Sequence, residues 1–188
     1  MRIARIILAA TALAIPALAA NYTLELKPDA TRVQFTLTDP LHTVHGTFSL
    51  KRGAIDFDTE TGKASGQVVV DVTSGNSGSD ARDSRMHANV LESKKFPEAI
   101  FAPDHVEGAL SIAGASSVKV HGIFTIHGST HEMTMNVQTS AGPDRLHATM
   151  AFDIPYVAWG MKDPSNFLLK VSKTVQMTIE AEGPLQKR

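Results

Sequence analysis

The sequence contains no cysteine, so disulfide bonds, zinc-thiolate sites and cysteine nucleophiles are all excluded. Small exported domains that lack a sufficient core commonly depend on disulfides. A chain without them has to be held by its hydrophobic core and its backbone hydrogen bonds. Neither sign of charge dominates, since 18 Lys and Arg stand against 19 Asp and Glu. With no basic patch and few aromatic residues, the chain is not expected to bind nucleic acid.

Long apolar runs are also missing, except at the N-terminus. Arg2 and Arg5 precede the apolar run of residues 6–15, and Ala17-Leu18-Ala19 has the small-residue pattern of a cleavage site. A charged segment, an apolar segment and such a site together predict a signal peptide at residues 1–19, followed by one domain at residues 20–188. The run is shorter than the ~20 residues of a membrane-spanning helix. We therefore expect export, with no stable membrane insertion after cleavage.

What is present through most of the chain is alternation of polar and apolar residues, the period of half-buried strands. Turn signals such as Pro28-Asp29 and Gly128-Ser129 separate the alternating segments. Many short amphipathic strands of this kind predict an antiparallel sandwich or barrel of roughly eight strands. The predicted segments are 22–26, 31–38, 43–51, 53–58 with 64–72, 99–107, 117–127, 131–139, 145–154 and 174–182.

Two segments depart from the alternation. In residues 79–95, apolar residues Met86, Val90 and Leu91 have helical spacing, and Asp80 or Asp83 is a candidate N-terminal cap. Residues 155–170 form a long apolar insert before the last strand. Long connections within compact domains are commonly functional. The single tryptophan, Trp159, is expected either to act as part of a lid or to plug one end of the barrel.

Several short motifs follow one another along the chain. The first are His45-Gly46-Thr47-Phe48 and the segment 53–58; the second are Arg82-Asp83 with Met86, and Lys95-Phe96-Pro97. The third is the hairpin segment 122–130, which contains His127-Gly128 and Thr130. Turns and Phe-rich strands are common individually, but the ordered set is specific. This set resembles the motifs of the YceI-like family, and the resemblance covers nearly the whole mature chain.

The resemblance implies an all-β, antiparallel, eight-stranded lipocalin-like barrel in the bacterial periplasm. It further implies a non-catalytic protein without a cofactor that carries or stores a polyisoprenoid, or a similar amphiphilic lipid, inside the barrel. The sequence leaves a homodimer open. The expected lipid-binding residues are the large apolar side chains of the strands and of the insert: Phe35, Phe48, Phe101, Phe124, Ile126, Met133, Met135, Met150, Phe152, Trp159, Phe167 and Leu168.

Small residues on the same strands, such as Gly46, Ala99, Gly122 and Ala148, are expected to leave room for the lipid tail. Arg82 and Arg85 are candidates for the lipid head group, since arginine binds phosphate in a bidentate manner. The alternative for this cluster is an internal salt bridge with Asp83 that fixes the helix.

Two other functions remain open from the residues alone. One is a hydrolase or redox enzyme that uses a metal held by histidines, with His127 and His131 as the pair to test. Against it, no histidine belongs to a metal-binding motif such as H-E-x-x-H, and strand parity places His121 and His127 on the solvent side, so no metal is expected. The other is a structural or interaction protein whose barrel is solid, because an eight-stranded barrel can also fill its interior with side chains.

Overall fold

The computed structural model describes residues 21–38, 42–167 and 170–188. The predicted signal peptide lies outside these residues. Within these described ranges, nine antiparallel strands form one sheet. They are β1 (Asn21–Leu26), β2 (Thr31–Thr38), β3 (Thr43–Asp58), β4 (Ala64–Asn76), β5 (Glu98–Glu107), β6 (Gly114–Ile126), β7 (Ser129–Ala141), β8 (Arg145–Ile154) and β9 (Val175–Lys187).

The sheet closes on itself into a barrel with eight strand positions. β2 to β9 follow one another around the barrel, and pairing of β3 with β4 and of β9 with β2 completes the circle. The ninth strand adds no position. β1 pairs with the second half of β3, from Gly53 to Asp58, whereas β2 pairs with its first half, from Thr43 to Phe48. The two short strands thus lie end to end between β3 and β9, and the predicted eight-stranded antiparallel barrel is confirmed.

The sequence predicts two separate segments here, 43–51 and 53–58, but the structure has one strand, β3. It runs without a break over 16 residues. The register with β4 shifts between Thr47 and Ser49 and again between Leu50 and Arg52. Such bulges bend a strand and increase its twist. One long strand can therefore curve around the barrel and pair with both short strands at its edge.

The predicted helix is present between β4 and β5. Helix α1 (Asp80–Arg85) continues into a π-helical turn, Met86–Val90. The N-cap residue, which directly precedes the helix, is Ser79, and its side chain makes no capping hydrogen bond. The expected cap by Asp80 or Asp83 is wrong, because Asp83 reaches back to the preceding loop and accepts hydrogen bonds from the backbone N–H and the hydroxyl of Ser77.

Two hydrophobic clusters divide the barrel interior along its length. The cluster of the mouth half surrounds Val33, Phe35, Val72, Phe124 and Met177, at the end of the barrel that carries α1 and the insert between β8 and β9. The cluster of the far half surrounds Tyr22, Phe57, Met135, Val137 and Leu146. Within the described ranges, no helix has the length and apolar composition that a bilayer-spanning segment requires.

Candidate functional site

The mouth half of the barrel encloses a cavity of about 850 Å³. This volume lies within the range of ~300–1,000 Å³ that is usual for small-molecule sites. The part of its wall that the strands supply is made of aliphatic and aromatic side chains. These are Val33, Phe35, Leu37, Val44, Phe48, Val70, Val72, Ala99, Phe124, Ile126, Phe152, Ile154, Val175, Met177 and Ile179.

The far half is packed with its own side chains in the part of the chain that the structure describes. There the rings of Tyr22 and Phe57 stack with their centroids 5.9 Å apart, and Met135, Val137 and Leu146 are each no more than 5% exposed. The expectation of a solid interior therefore holds for the far half only. An apolar molecule entering at the mouth meets the packed side chains of the far half.

Helix α1 and the insert border the cavity at the mouth. The π-helical turn contributes Met86 and Val90, with Leu91 next to it. The helical spacing noted in the sequence thus turns these apolar side chains toward the cavity. The insert contributes Tyr156, whose side chain is held at both its apolar and its polar end. Its ring belongs to the buried cluster of the mouth half, and its hydroxyl donates to the carbonyl of Ser172 at 2.6 Å.

Burial raises the pKa of Tyr156 to about 12. The Asp163 carboxylate contributes to the same shift, since a nearby negative charge disfavours the phenolate. Tyr156 is therefore neutral at every physiological pH. Its hydroxyl acts as a hydrogen-bond donor that fixes the insert beside the cavity.

Polar and charged groups lie only at the mouth end of the cavity. Arg82 is engaged in the protein: its Nε donates to the Ser77 hydroxyl at 2.7 Å and its Nη2 to the Ser77 carbonyl at 2.8 Å. It forms no salt bridge with Asp83 in the described chain; both residues instead hold Ser77. Arg85 and Lys162 also line the cavity, and neither forms an ion pair or a side-chain hydrogen bond with a described residue.

The structure places seven of the residues predicted for the site on the cavity. They are Phe35, Phe48, Phe124, Ile126, Phe152, Arg82 and Arg85. Alternation identified these strand residues because neighbouring side chains on a strand point to opposite faces of the sheet. The aromatic rings form much of the wall, with Phe35 and Phe48 5.4 Å apart between centroids.

The remaining predicted site residues do not line the cavity. Met135 belongs to the far cluster, Met150 packs against it, and Phe101 and Met133 pack against both clusters. All four are on strands that continue into the far half. The alternation of a strand shows which face a residue is on, but it does not show how far along the barrel the residue lies.

The aromatic residues predicted on the insert are also away from the cavity wall. The Trp159 ring stacks on the His131 ring with their centroids 3.8 Å apart, and it lies tilted against the Phe124 ring with a centroid separation of 6.0 Å. Trp159 therefore packs on the β6–β7 wall of the barrel. Phe167 is 95% exposed. Leu168 lies outside the described residues.

Sequence reasoning did not assign several smaller wall residues to the site. Val33 and Val72 are both less than 5% exposed, and Met177 lies beside them. Their signal was present in the sequence, since Val33 shares a strand face with Phe35 and Met177 is in the alternating last strand. Ala99, which the sequence marked as a position that leaves room for the lipid tail, lines the cavity.

The histidines do not gather into a site. His131 faces the interior beneath Trp159, whereas His127 lies in the β6–β7 turn and pairs with Glu92 at 2.8 Å between Nε2 and Oε2. The expectation that His127 faces solvent is wrong, because Glu92 and the ring of Phe96 leave its side chain only 14% exposed. Among the described residues, no three His, Asp or Glu side chains are grouped as a metal ion would require.

The chain matches the family model of the YceI-like domain over residues 24–183. No curated protein sequence matches it. Among solved structures, it is similar to BcnA of Burkholderia cenocepacia, with a TM-score of 0.71, 18% identity, and coverage of 84% of this chain and 99% of that one. A polyisoprenoid-binding domain of Saccharophagus degradans, implicated in plant cell wall breakdown, is similar with a TM-score of 0.68 and 16% identity, covering 91% and 100%.

The YceI protein of Campylobacter jejuni has a TM-score of 0.63 and 18% identity, with coverage of 78% of this chain and 88% of that one. At these identities the three structures establish a shared fold. The family model covers most of the domain that was expected at residues 20–188.

Proposed function

Because the chain belongs to the YceI-like domain family, we propose that it binds a polyisoprenoid or a similar long-chain amphiphilic lipid in the barrel and carries or stores it in the periplasm, without catalysing a reaction. The name of the Saccharophagus degradans domain supports this, since that protein shares the fold and is described as polyisoprenoid-binding. Function is argued from the site rather than from the fold, however. The cavity is therefore the main support for the proposal.

The observation that carries the proposal is the largely apolar cavity of about 850 Å³, whose described polar lining residues lie at its mouth and beyond which the far half is packed. An amphiphile fits such a site with its tail inward and its head group outward. Each methylene removed from water contributes about 0.8 kcal/mol. A tail enclosed over a dozen or so carbon atoms thus gains on the order of 10 kcal/mol before the costs of ordering. No directional contact with the tail is needed for tight binding.

Arg85 and Lys162 support an anionic head group for this lipid. Both cations line the cavity at its mouth, and both are without an ionic partner in the described chain. Arg82, which was also a candidate, has two of its donors committed to Ser77. A phosphate or carboxylate between Arg85 and Lys162 would make charge-assisted hydrogen bonds, which are about twice as strong as neutral ones.

The test is mass spectrometry of small molecules extracted from protein purified without detergent. We expect a long-chain lipid in near-stoichiometric amount, with an acidic head group. Repeated lipid-free preparations that also fail to take up added polyprenyl phosphate would refute the proposal.

The double variant Arg85→Gln with Lys162→Gln tests the head-group part. It is expected to lose most of its affinity for polyprenyl phosphate but to keep its affinity for the uncharged polyprenol. The matched control is Lys63→Gln, an exposed lysine beyond the far half whose side chain makes no ion pair in the described chain. Equal losses for both lipids in the double variant would contradict a head-group role for these two cations.

A further inference from the structure

The insert between β8 and β9 exposes one large apolar side chain beside the cavity mouth. Phe167 is 95% exposed, two residues beyond Ser165, which lines the cavity. The other exposed large apolar residue of the described chain is Ile112, which is 43% exposed in the loop between β5 and β6, at the far end of the barrel. Single exposed apolar residues are ordinary on protein surfaces. An almost fully exposed phenylalanine beside the mouth of an apolar cavity says more about function than an isolated apolar residue elsewhere on the surface.

Positive charge accompanies Phe167 in the same insert. Lys162, Lys170 and Lys173 are all exposed, and Asp163 is the only acidic residue of the segment 155–174. Lys173 approaches Asp163 at 3.9 Å, whereas Lys170 forms no salt bridge in the described chain, although its charge also acts on Asp163. The whole protein has a formal net charge of −1. Segment 155–174 therefore carries a net positive charge, and the same segment exposes Phe167.

We propose that the mouth of the barrel docks on a membrane surface that contains anionic phospholipid. Phe167 enters the interfacial region of the bilayer, while Lys170 and Lys173 contact the lipid head groups. This inference rests on the proposed function, because the docking surface would serve to exchange a lipid between the bilayer and the cavity. A long tail that passes directly from bilayer to cavity avoids exposure of its methylene groups to water, which is the main barrier to lipid transfer.

The surface suits a bilayer better than a protein partner. Aromatic and lysine side chains together are typical of interfacial anchors, in which the ring enters the apolar boundary and the lysine amine stays with the head groups. Anionic membranes attract each nearby Lys or Arg with a free energy equivalent to about five-fold in affinity. A stable protein interface buries about 800 Å² on each partner around an apolar centre. One exposed ring among lysines does not form such a centre.

The test is cosedimentation of the full mature protein with vesicles. One vesicle type contains phosphatidylcholine and phosphatidylglycerol in equal amounts, and the other contains phosphatidylcholine alone. We expect binding to the mixed vesicles that weakens at high salt, as it does for exposed charges. Phe167→Ser should lower the partition coefficient by about ten-fold, and Lys170→Glu by at least about five-fold.

Matched controls come from the opposite end of the barrel. Ile112→Ser and Lys63→Glu remove an exposed apolar residue and reverse an exposed charge, and both are expected to bind mixed vesicles like the unmodified protein. The proposal is overturned if the unmodified protein does not bind mixed vesicles, or if Phe167→Ser and Lys170→Glu both bind as well as it does.

The extracted lipid is measured in the same preparations, so that the two proposals can fail separately. A protein that carries lipid but does not bind the mixed vesicles would overturn the proposed docking surface alone. A protein that binds mixed vesicles through Phe167 and Lys170 but never holds a lipid would overturn the cargo function, and the docking surface would then serve another purpose.

Discussion

At the scale of single residues, the shape of the interior depends on which neighbour occupies the space beside a small residue. A β-carbon added at Gly46 would lie 2.3 Å from the Phe35 ring, and one added at Gly122 would lie 2.8 Å from the Phe101 ring. The phenylalanines thus take the room that these glycines leave, and the expectation that the room belongs to the lipid is wrong at both positions. Ala99, in contrast, lines the cavity directly.

The His121 side chain gives a prediction at the same scale. It hydrogen bonds to the Asp104 carboxylate at 2.7 Å, on the outer face of β5 and β6. This hydrogen bond, together with the negative charge of Asp104, raises the pKa of His121 above its ordinary value of 6.5. Because the folded-state pKa is raised, the stabilisation is present at pH values below that of the unfolded histidine and is lost as the pH rises through the folded value.

Imidazole titration by NMR measures this directly. We expect the His121 pKa to exceed 6.5 in the unmodified protein and to fall toward it in Asp104→Asn. A His121 pKa that is the same in both proteins would contradict the assignment of the shift to Asp104.

At the scale of elements, α1 is anchored from its own first turn. Asp83 accepts a hydrogen bond from the Ser77 N–H at 2.9 Å, and Arg82 binds the same serine. The loop that ends β4 is in this way tied to the helix that borders the cavity. Asp80, one turn earlier, makes no hydrogen bond or ion pair in the described chain.

Asp83→Asn and Asp80→Asn are therefore a matched pair of substitutions. Loss of a hydrogen bond to a charged group costs about 1.5 kcal/mol or more, so Asp83→Asn should speed amide hydrogen exchange in α1 by about ten-fold. Asp80→Asn should leave it nearly unchanged. Equal exchange rates in the two variants would show that the contact with Ser77 does not hold the helix in place.

The insert has its own anchor in Tyr156. Tyr156→Phe removes the hydrogen bond to the Ser172 carbonyl while it keeps the ring, and we expect a loss of about 1 kcal/mol in the free energy of unfolding. Denaturant unfolding of the two proteins measures this. Since the folded-state pKa of Tyr156 is raised to about 12, stability should also fall as the pH rises from about 10 toward that value.

The raised pKa of Tyr156 can also be tested by an absorbance titration at high pH. Tyr156 is one of only two tyrosines, so the absorbance titration of the unmodified protein should contain a late component that Tyr156→Phe lacks. A titration without that component would mean that the tyrosine is not buried as described.

At the scale of the whole molecule, one barrel combines an open half with a packed half. The packed half contains the stacked rings of Tyr22 and Phe57 and a dense set of aliphatic side chains. We infer that this half stabilises the barrel whether or not the open half is occupied. A barrel hollow throughout would lose those packing contacts, and one filled throughout would have no room for a ligand.

Two alanines test this division, because each is 7% exposed and each faces a different half. Ala99→Leu extends a side chain into the cavity, so it should leave the melting temperature nearly unchanged while it lowers the amount of lipid bound. Ala148→Leu adds the same atoms to the packed half, where overpacking costs about 1–3 kcal/mol. Thermal unfolding with lipid quantification separates the two effects. A similar destabilisation in both variants would contradict the open mouth half.

The sequence by itself determined the strands, their antiparallel arrangement, the helix after β4 and the apolar character of the interior. The strands follow from the alternation of side chains and from turn residues, and the helix follows from the spacing of its apolar residues, all of which are local properties. Alternation alone allowed a sandwich as well as a barrel, and the closed eight-stranded barrel was implied by the resemblance to the YceI-like family. The sequence did not determine how far along the barrel each inward-facing side chain lies. Met135 and Phe124 have equally clear inward parity, but only Phe124 lines the cavity.

Only the tertiary structure decided where the interior is open, because that depends on how far each strand extends past its neighbours and on which rings meet across the barrel. The same holds for the mouth. Arg82 of α1 donates to Ser77, which follows β4, and the cavity is lined both by Arg85 of α1 and by Lys162 of the insert, neither of which has an ion pair among the described residues. Contacts between segments that are distant in the chain produce no periodic pattern in the sequence, and so they cannot be predicted from local sequence patterns.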